Sequence, residues 1–200
     1  MKSFKQFLES VTPVVLVETN LSRVAQHVQE RNIGMITAHR GDKTPEENEE
    51  RNKNLRADLK GHGLSWIKVK GNYVENHGSK DAKTVSEHSY LVVGKKGNDD
   101  GQLKGVLKNL GNKYDQDSVL HKSHDSETAQ LHGTSDRENG WPAKGESVDV
   151  GKFHPSRAGE FHTAIKNKKT FAFSEGLEFY TPEIGKSFFN RKDTPERLFQ

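Results

Sequence analysis

The sequence predicts an α+β fold, in which an antiparallel sheet with two covering helices forms a ferredoxin-like βαββαβ core, followed by a C-terminal β-rich extension. Between residues 35 and 123, apolar periodicities occur in the order strand, helix, strand, strand, helix, strand. This order is typical of the split βαβ arrangement, with both helices on one face of the sheet. We expect an N-terminal docking or targeting segment over residues 1–19, the domain over 20–175, and a tail over 176–200.

Apolar spacing and capping residues indicate the helices. The first is predicted over about residues 21–31. Thr44, Pro45 and Glu47 form a capping box with proline at the first helical position, which predicts the start of the second helix. Leucine and valine recur every three or four residues over 102–114, which predicts the third helix.

Alternation of apolar and polar residues indicates the strands. The predicted strands lie at residues 35–39, 64–71, 85–94, 117–123 and 128–134, with further strands in SVDVGKFH and KKTFAFSE. The fourth and fifth are predicted to form a hairpin across HDSE. The segment AGEFHTAIKN predicts a short helix.

Composition excludes several classes of protein. The 200 residues include no cysteine, which excludes disulfide frameworks, thiolate metal sites and thiol nucleophiles. The net charge of +3 is too small to predict nucleic-acid binding, although the basic residues 166–169 keep nucleic acid as a possible partner. The apolar residues 11–17 are too few for a membrane span, and they run into Glu18 without the small-residue cleavage site of a signal peptide, so we expect a protein that is neither secreted nor in a membrane. Because no nucleotide-binding motif is present, we expect no cofactor.

The second helix carries polar residues on the face that its leucines turn toward the sheet. At 100° per residue, Asn48 and Asn52 fall in one stripe with Leu55 and Leu59, and Arg51 lies at its edge. We therefore predict a polar cluster at the first turns of this helix.

The predicted ligand-binding residues are Thr37, Arg40, Asn48, Arg51, Asn52 and Ser89. A helix N-terminus with arginines and amides favours an anion such as a phosphate or a carboxylate. The catalytic residues are unknown, with Glu75 and Glu87 as candidate general bases. Alternatively, the asparagines bridge the neighbouring loop and Arg51 pairs with Glu75 or Glu87, in a network that only stabilises the fold.

Histidines in the predicted hairpin suggest a possible metal site. His121, His124 and His132 are the candidate ligands, since imidazole binds zinc, iron or manganese. Their spacing matches no standard metal site. We therefore favour surface histidines on a hairpin and predict no metal.

Four short motifs lie between residues 33 and 123. The pattern is Thr-Ala, Glu-Asn-x-x-Arg-Asn-x-x-Leu, Glu-x-Ser and Gln-x-x-Val-Leu, with matches at Thr37, Ala38, Glu47, Asn48, Arg51, Asn52, Leu55, Glu87, Ser89, Gln116, Val119 and Leu120. In these motifs the chain resembles a family of small, functionally uncharacterised proteins of tailed phages and bacteria. The resemblance implies no particular activity.

The first residues resemble a second class of phage sequence. MKSFKQFLE is similar to the capsid-targeting leaders of internal head proteins in large tailed phages, and Leu16-Val17-Glu18 is similar to sites that prohead proteases cut. This resemblance implies a virion protein.

The preferred interpretation is a soluble phage accessory protein, delivered by the virion or acting early in host takeover and counter-defence. It would bind an anionic ligand, such as a nucleotide, nucleic acid or an acidic protein surface, rather than catalyse a reaction. One alternative is a structural or internal head protein of the virion. Another is a small enzyme acting on nucleotide or phosphate groups, with Glu75 or Glu87 as base and Arg40 and Arg51 as anion clamps.

We expect a capsid or host protein as partner, contacted through residues 1–18 and the C-terminal tail. The expected location is the phage virion or the host cytoplasm. The oligomeric state is not indicated by the sequence.

Overall fold

A computed structural model describes residues 21–75, 83–137, 140–155, 162–165 and 169–174. Its helices are α1 (Leu21–Glu30), α2 (Pro45–Gly61) and α3 (Gln102–Lys113). Its strands are β1 (Arg31–Ile36), β2 (Ser65–Glu75), β3 (Lys83–Lys96), β4 (Ser118–Lys122), β5 (Thr128–Gly133), β6 (Ser147–Pro155), β7 (His162–Ala164) and β8 (Thr170–Ser174). The predicted docking segment and C-terminal tail lie outside the described residues.

The strands form an antiparallel sheet that closes on itself in the order β1-β3-β2-β7-β8-β6-β5-β4. The predicted ferredoxin-like core was therefore wrong. The elements from β1 to β4 follow each other as expected, but they belong to an eight-stranded barrel rather than to a sheet of their own. The physical reason is that β7 pairs with β2 and β6 pairs with β5. The residues expected to form an extension thus cover both edges that an open sheet would expose.

Side chains of β3 alternate between two separate apolar cores. Leu91 and Val93 face the barrel interior, where they pack with the apolar side of α1 and with Phe171 of β8. Tyr90 and Val92 face outward, beneath α2 and α3. The barrel wall therefore has an inner face and an outer face with different partners.

Helices α2 and α3 cover the outer face of β1 to β4. The predicted capping box of α2 is confirmed, because the Thr44 hydroxyl accepts from the Glu47 N–H and the Glu47 carboxylate accepts from the Thr44 N–H. Leu55 and Leu59 of α2 are fully buried in the outer core. Among the described helices, none combines the length and apolar character that crossing a membrane requires.

The segment between β6 and β8 was predicted as a short helix and instead contains strand β7. Ala164 pairs with Lys70 of β2 and with Thr170 of β8. Backbone pairing on both sides outweighs the weak helical spacing in this segment. The predicted hairpin of β4 and β5 is confirmed, as is the last strand, β8.

Helix α3 packs tightly against the sheet at Gly34 of β1. A Cβ atom at position 34 would lie 2.1 Å from Leu107 Cδ1 and 2.8 Å from the backbone oxygen of Leu120. Glycine at this position therefore allows the helix to lie directly on the strand.

We expect Gly34→Ala to lower the free energy of unfolding by about 1–3 kcal/mol, because overpacking shifts the helix or the strand. Urea denaturation measures this change. Gly105→Ala is the matched control, since Gly105 lies in α3 with no atom near the added Cβ. That substitution should raise the free energy of unfolding by about 0.5–1 kcal/mol through helix propensity. A stabilising effect at both positions would contradict the close approach of α3.

Candidate functional site

The two asparagines of α2 bind the chain that leaves β1. The Asn52 Oδ1 atom accepts from the Ala38 N–H at 3.2 Å. The Asn48 side chain accepts from the Arg40 N–H at 2.8 Å and donates to the Arg40 carbonyl at 3.0 Å. Both side chains are buried. They satisfy backbone groups that have no strand partner beyond the end of β1.

Arg51 joins this chain to the end of α3. Its Nε atom donates to the Ala38 carbonyl at 2.8 Å, and its Nη2 atom donates to the Tyr114 carbonyl at 2.5 Å. Gln116 donates to the same Tyr114 carbonyl at 3.1 Å. The acceptors of Arg51 are thus carbonyls, whereas the sequence suggested Glu75 or Glu87.

Arg40 lies at the same end of α3. It donates to the Asp115 carbonyl at 2.7 Å and forms ion pairs with Asp115 and Asp42. A hydrogen bond from Arg40 lowers the pKa of the exposed Asp42 carboxyl. Cations are favourable at a helix C-terminus, where the carbonyls carry partial negative charge. These contacts favour the structural interpretation, and ligand binding by Arg40, Asn48, Arg51 and Asn52 stays a prediction.

The remaining predicted residues lie on the other side of the barrel wall. Ser89 and Glu87 alternate with Tyr90 along β3, so they share the inner face with Leu91. Thr37 follows β1 in the same alternation, and its hydroxyl donates to the His88 carbonyl at 2.8 Å. The sheet therefore separates Thr37, Glu87 and Ser89 from the polar side chains of α2.

Glu87 belongs to a second set of neighbouring residues, which we call the inner-face cluster. This cluster consists of Thr37, His39, Gly71, Glu87 and Ser89. The His39 Nδ1 atom lies 3.3 Å from Glu87 Oε2, and the Glu87 side chain is 18% exposed. The Thr37 hydroxyl accepts from the His39 N–H at 3.0 Å, which holds His39 near the strand end. The cluster therefore offers a partly buried carboxylate with polar neighbours.

Gly71 leaves space beside this carboxylate. It pairs with Glu87 across β2 and β3, and a Cβ atom there would lie 3.8 Å from Ser89 Oγ and 3.9 Å from Glu87 Cγ. Gly71 was not predicted as a site residue, and His39 was in the predicted strand 35–39 but was not named among the ligand-binding residues. A glycine within a strand often marks a point of close approach, and this signal could have identified Gly71.

Glu75 lies at the end of β2, where its backbone pairs in register with Lys83. Its side chain lies outside what the structure describes. Its candidate role as a general base therefore stays a prediction.

The three candidate metal ligands do not come together. The His124 Nδ1 atom lies 3.2 Å from Asn32 Oδ1, whereas His121 and His132 are buried under α3. No three His, Cys, Asp or Glu side chains in the described part of the chain could hold a metal ion together. The prediction of surface histidines was wrong for His121 and His132, because α3 covers this part of the hairpin.

Comparisons with known proteins identify the family. Curated protein sequences gave no match. A similar solved structure is described as a phage SAM lyase in complex with S-methyl-5'-thioadenosine. It is 15% identical, with 60% of this chain and 86% of that chain covered and a TM-score of 0.29.

The model of the S-adenosylmethionine lyase family matches residues 34–182, well over half of the chain. The family therefore has an activity, which corrects the expectation of an uncharacterised family. The prediction of a protein that binds an anionic ligand without catalysis was also wrong. The alternative prediction of an enzyme agrees better with this match. Nothing in the matches supports a virion component. The chain belongs to the S-adenosylmethionine lyase family.

Proposed function

We propose that this chain cleaves S-adenosylmethionine without water and releases S-methyl-5'-thioadenosine. The observation that carries the proposal is the family match over residues 34–182. The sulfonium is a good leaving group, because breaking its bond to the γ carbon of the methionine part releases a neutral thioether. Such a cleavage needs no external oxidant or reductant.

Two routes break this bond without water. The substrate's own carboxylate attacks the γ carbon and forms a lactone, or a base removes a β proton and an alkene forms. In both routes the bonding pair leaves with sulfur, and the positive charge on sulfur disappears in the transition state. A protein carboxylate against the sulfur would therefore stabilise the substrate more than the transition state and slow the reaction.

The charge on the substrate's α-ammonium group is unchanged by internal attack. A carboxylate that binds this ammonium fixes the methionine part without opposing the loss of charge at sulfur. We assign this role to Glu87, whose carboxylate is 18% exposed and lies 3.3 Å from His39. Charge-assisted hydrogen bonds of this kind are stronger than neutral ones, and partial burial limits competition from water.

The other members of the inner-face cluster support this assignment. The hydroxyls of Thr37 and Ser89 are further polar groups on the same face, and Gly71 leaves room beside them. His39 contacts Glu87 directly and holds its carboxylate toward the end of β1. The cluster therefore supports substrate binding through the amino group.

A surface depression of about 320 Å³ between α3 and the segment after β5 is less suitable for this substrate. Its lining includes Lys108 and Lys144. Two ammonium groups repel a sulfonium and an α-ammonium, although Asp136 forms an ion pair with Lys144.

Phage origin and action in the host cytoplasm are part of the proposal, in agreement with the predicted role in host takeover and counter-defence. Loss of this methyl donor would deprive host enzymes that depend on it. Docking of residues 1–18 and the C-terminal tail on a capsid or host protein concerns residues outside those described, and it stays a prediction.

The purified chain should convert S-adenosylmethionine into S-methyl-5'-thioadenosine and a four-carbon amino acid product in equal amounts. Liquid chromatography with mass spectrometry measures both products. S-adenosylhomocysteine is the matched control substrate, because it lacks the sulfonium charge and should remain intact. Binding of S-adenosylmethionine without turnover would contradict the proposed activity.

We expect Glu87→Gln to lower kcat/KM for S-adenosylmethionine by about 100-fold, since a neutral amide loses the ion pair with the α-ammonium group. The fold should persist, because glutamine keeps a hydrogen-bonding group near His39. Glu49→Gln is the matched control: Glu49 is an exposed carboxylate on α2 that pairs with Arg56. Equal activity of the two variants would contradict the assignment of Glu87 but not the lyase activity itself.

A further inference from the structure

Two buried histidines lie under α3, outside the inner-face cluster. His121 is 9% exposed and His132 is 2% exposed, and their ring centroids are 6.0 Å apart. The Nε2 atoms of both rings are buried and have no hydrogen-bond partner among the described residues. Such a site accommodates a neutral imidazole far better than a charged one.

Both histidines pair with residues where α3 packs tightly against the sheet. His121 pairs with Gly34, where an added Cβ atom would collide with Leu107 of α3. His132 pairs with Val119, whose Cγ1 atom would lie 2.8 Å from a Cβ atom at Gly111 of α3. A change of charge on these rings therefore acts directly on the packing of α3.

The lysines around the pair oppose protonation. Lys104 and Lys108 of α3 act on His132, and Lys104 and Lys122 act on His121. From β6, the uncharged hydroxyl of Ser147 lies 2.6 Å from the Nδ1 atom of His132.

Asp99, in the turn before α3, is the carboxylate that favours a charged His121. Its oxygens accept hydrogen bonds from the Gly101 and Leu103 N–H groups, which hold the carboxylate at the start of the helix. Burial lowers the pKa of His121 despite this carboxylate. Burial, Lys104, His121 and Lys108 together lower the pKa of His132 to about 4.

We propose that the His121–His132 pair is an acid-sensitive latch on α3. Neutral rings allow the helix to pack against β1 and β4. Protonation of either ring places an unpaired charge between the sheet and the lysines of α3, and the helix is released. This device is separate from the proposed reaction, because neither histidine belongs to the inner-face cluster.

Both histidines bind a proton more weakly in the folded chain than in the unfolded chain. The free energy of unfolding therefore has its full value above pH 6.5, which is the pKa of a histidine in the unfolded chain. It decreases as the pH falls toward the pKa of the histidines in the folded chain. For His132 alone, the equilibrium constant for unfolding should rise about 20-fold between pH 7 and pH 5. Urea denaturation at both pH values measures this ratio.

His132→Asn tests the latch, because asparagine can place an acceptor near the Ser147 hydroxyl and cannot gain a proton. The variant should lose most of this pH dependence. His62→Gln is the matched control, since His62 is exposed beyond the end of α2 and should keep the pH profile of the unchanged chain. A His132→Asn variant with an unchanged profile would overturn the proposal.

Two measurements on the unchanged full chain keep the test independent of whether His132→Asn folds. Native-state hydrogen exchange at pH 7 and at pH 5 should show that the lower pH reduces the protection of the α3 amides more than that of the α2 amides. Nuclear magnetic resonance should show that the ring of His132 stays neutral at pH 6 in the folded chain and that the pKa of His121 lies below 6.5. Equal protection of α3 at both pH values, or titration of both rings near 6.5 in the folded chain, would refute the latch.

Discussion

The guanidinium group of Arg51 holds together three parts of the chain that are distant in sequence. It extends from α2, binds the carbonyl of Ala38 after β1, and binds the carbonyl of Tyr114 after α3. Hydrogen bonds to a charged group contribute about 1.5–3 kcal/mol each, and losing the bond to Ala38 would leave the carbonyl of a buried residue without this donor. Because these bonds fix the chain directly after β1, they also set the position of His39 beside Glu87. The proposed substrate site on the inner face thus depends on a network on the outer face.

Closure of the sheet gives the barrel wall two faces, an outer face that packs against helices and an inner face that carries the proposed substrate site. The outer face of β1 to β4 is covered by two helices and holds the side chains of Trp66 and Tyr90, and the buried His121 and His132 lie on β4 and β5. The inner face is apolar where α1 packs and becomes polar toward Glu87 and Ser89. A barrel has no open edge, so its wall can hold side chains of opposite character on its two faces without exposing backbone groups.

The sequence predicted features that depend on neighbouring residues, but it did not predict which distant strands pair. Thr44 and Glu47 identified the start of α2 because a capping box involves only neighbouring residues. The helical wheel correctly predicted that Asn48 and Asn52 lie on the buried face of α2. It could not show that their partners are backbone groups at residues 38 to 40. Barrel closure requires pairs such as Lys70 with Ala164, and alternation within a strand does not specify its neighbour. For the same reason the sequence grouped Glu87 with the arginines, although the sheet lies between them.

The most direct test of a lyase is the origin of the oxygen on the γ carbon of the four-carbon product. The reaction should be run in water enriched in heavy oxygen, and the product fragmented by mass spectrometry. Internal attack by the carboxylate keeps a substrate oxygen on the γ carbon, and elimination leaves no oxygen there, so neither route introduces a solvent oxygen at that position. Heavy oxygen on the γ carbon in stoichiometric amount would show hydrolysis and would contradict the proposed reaction.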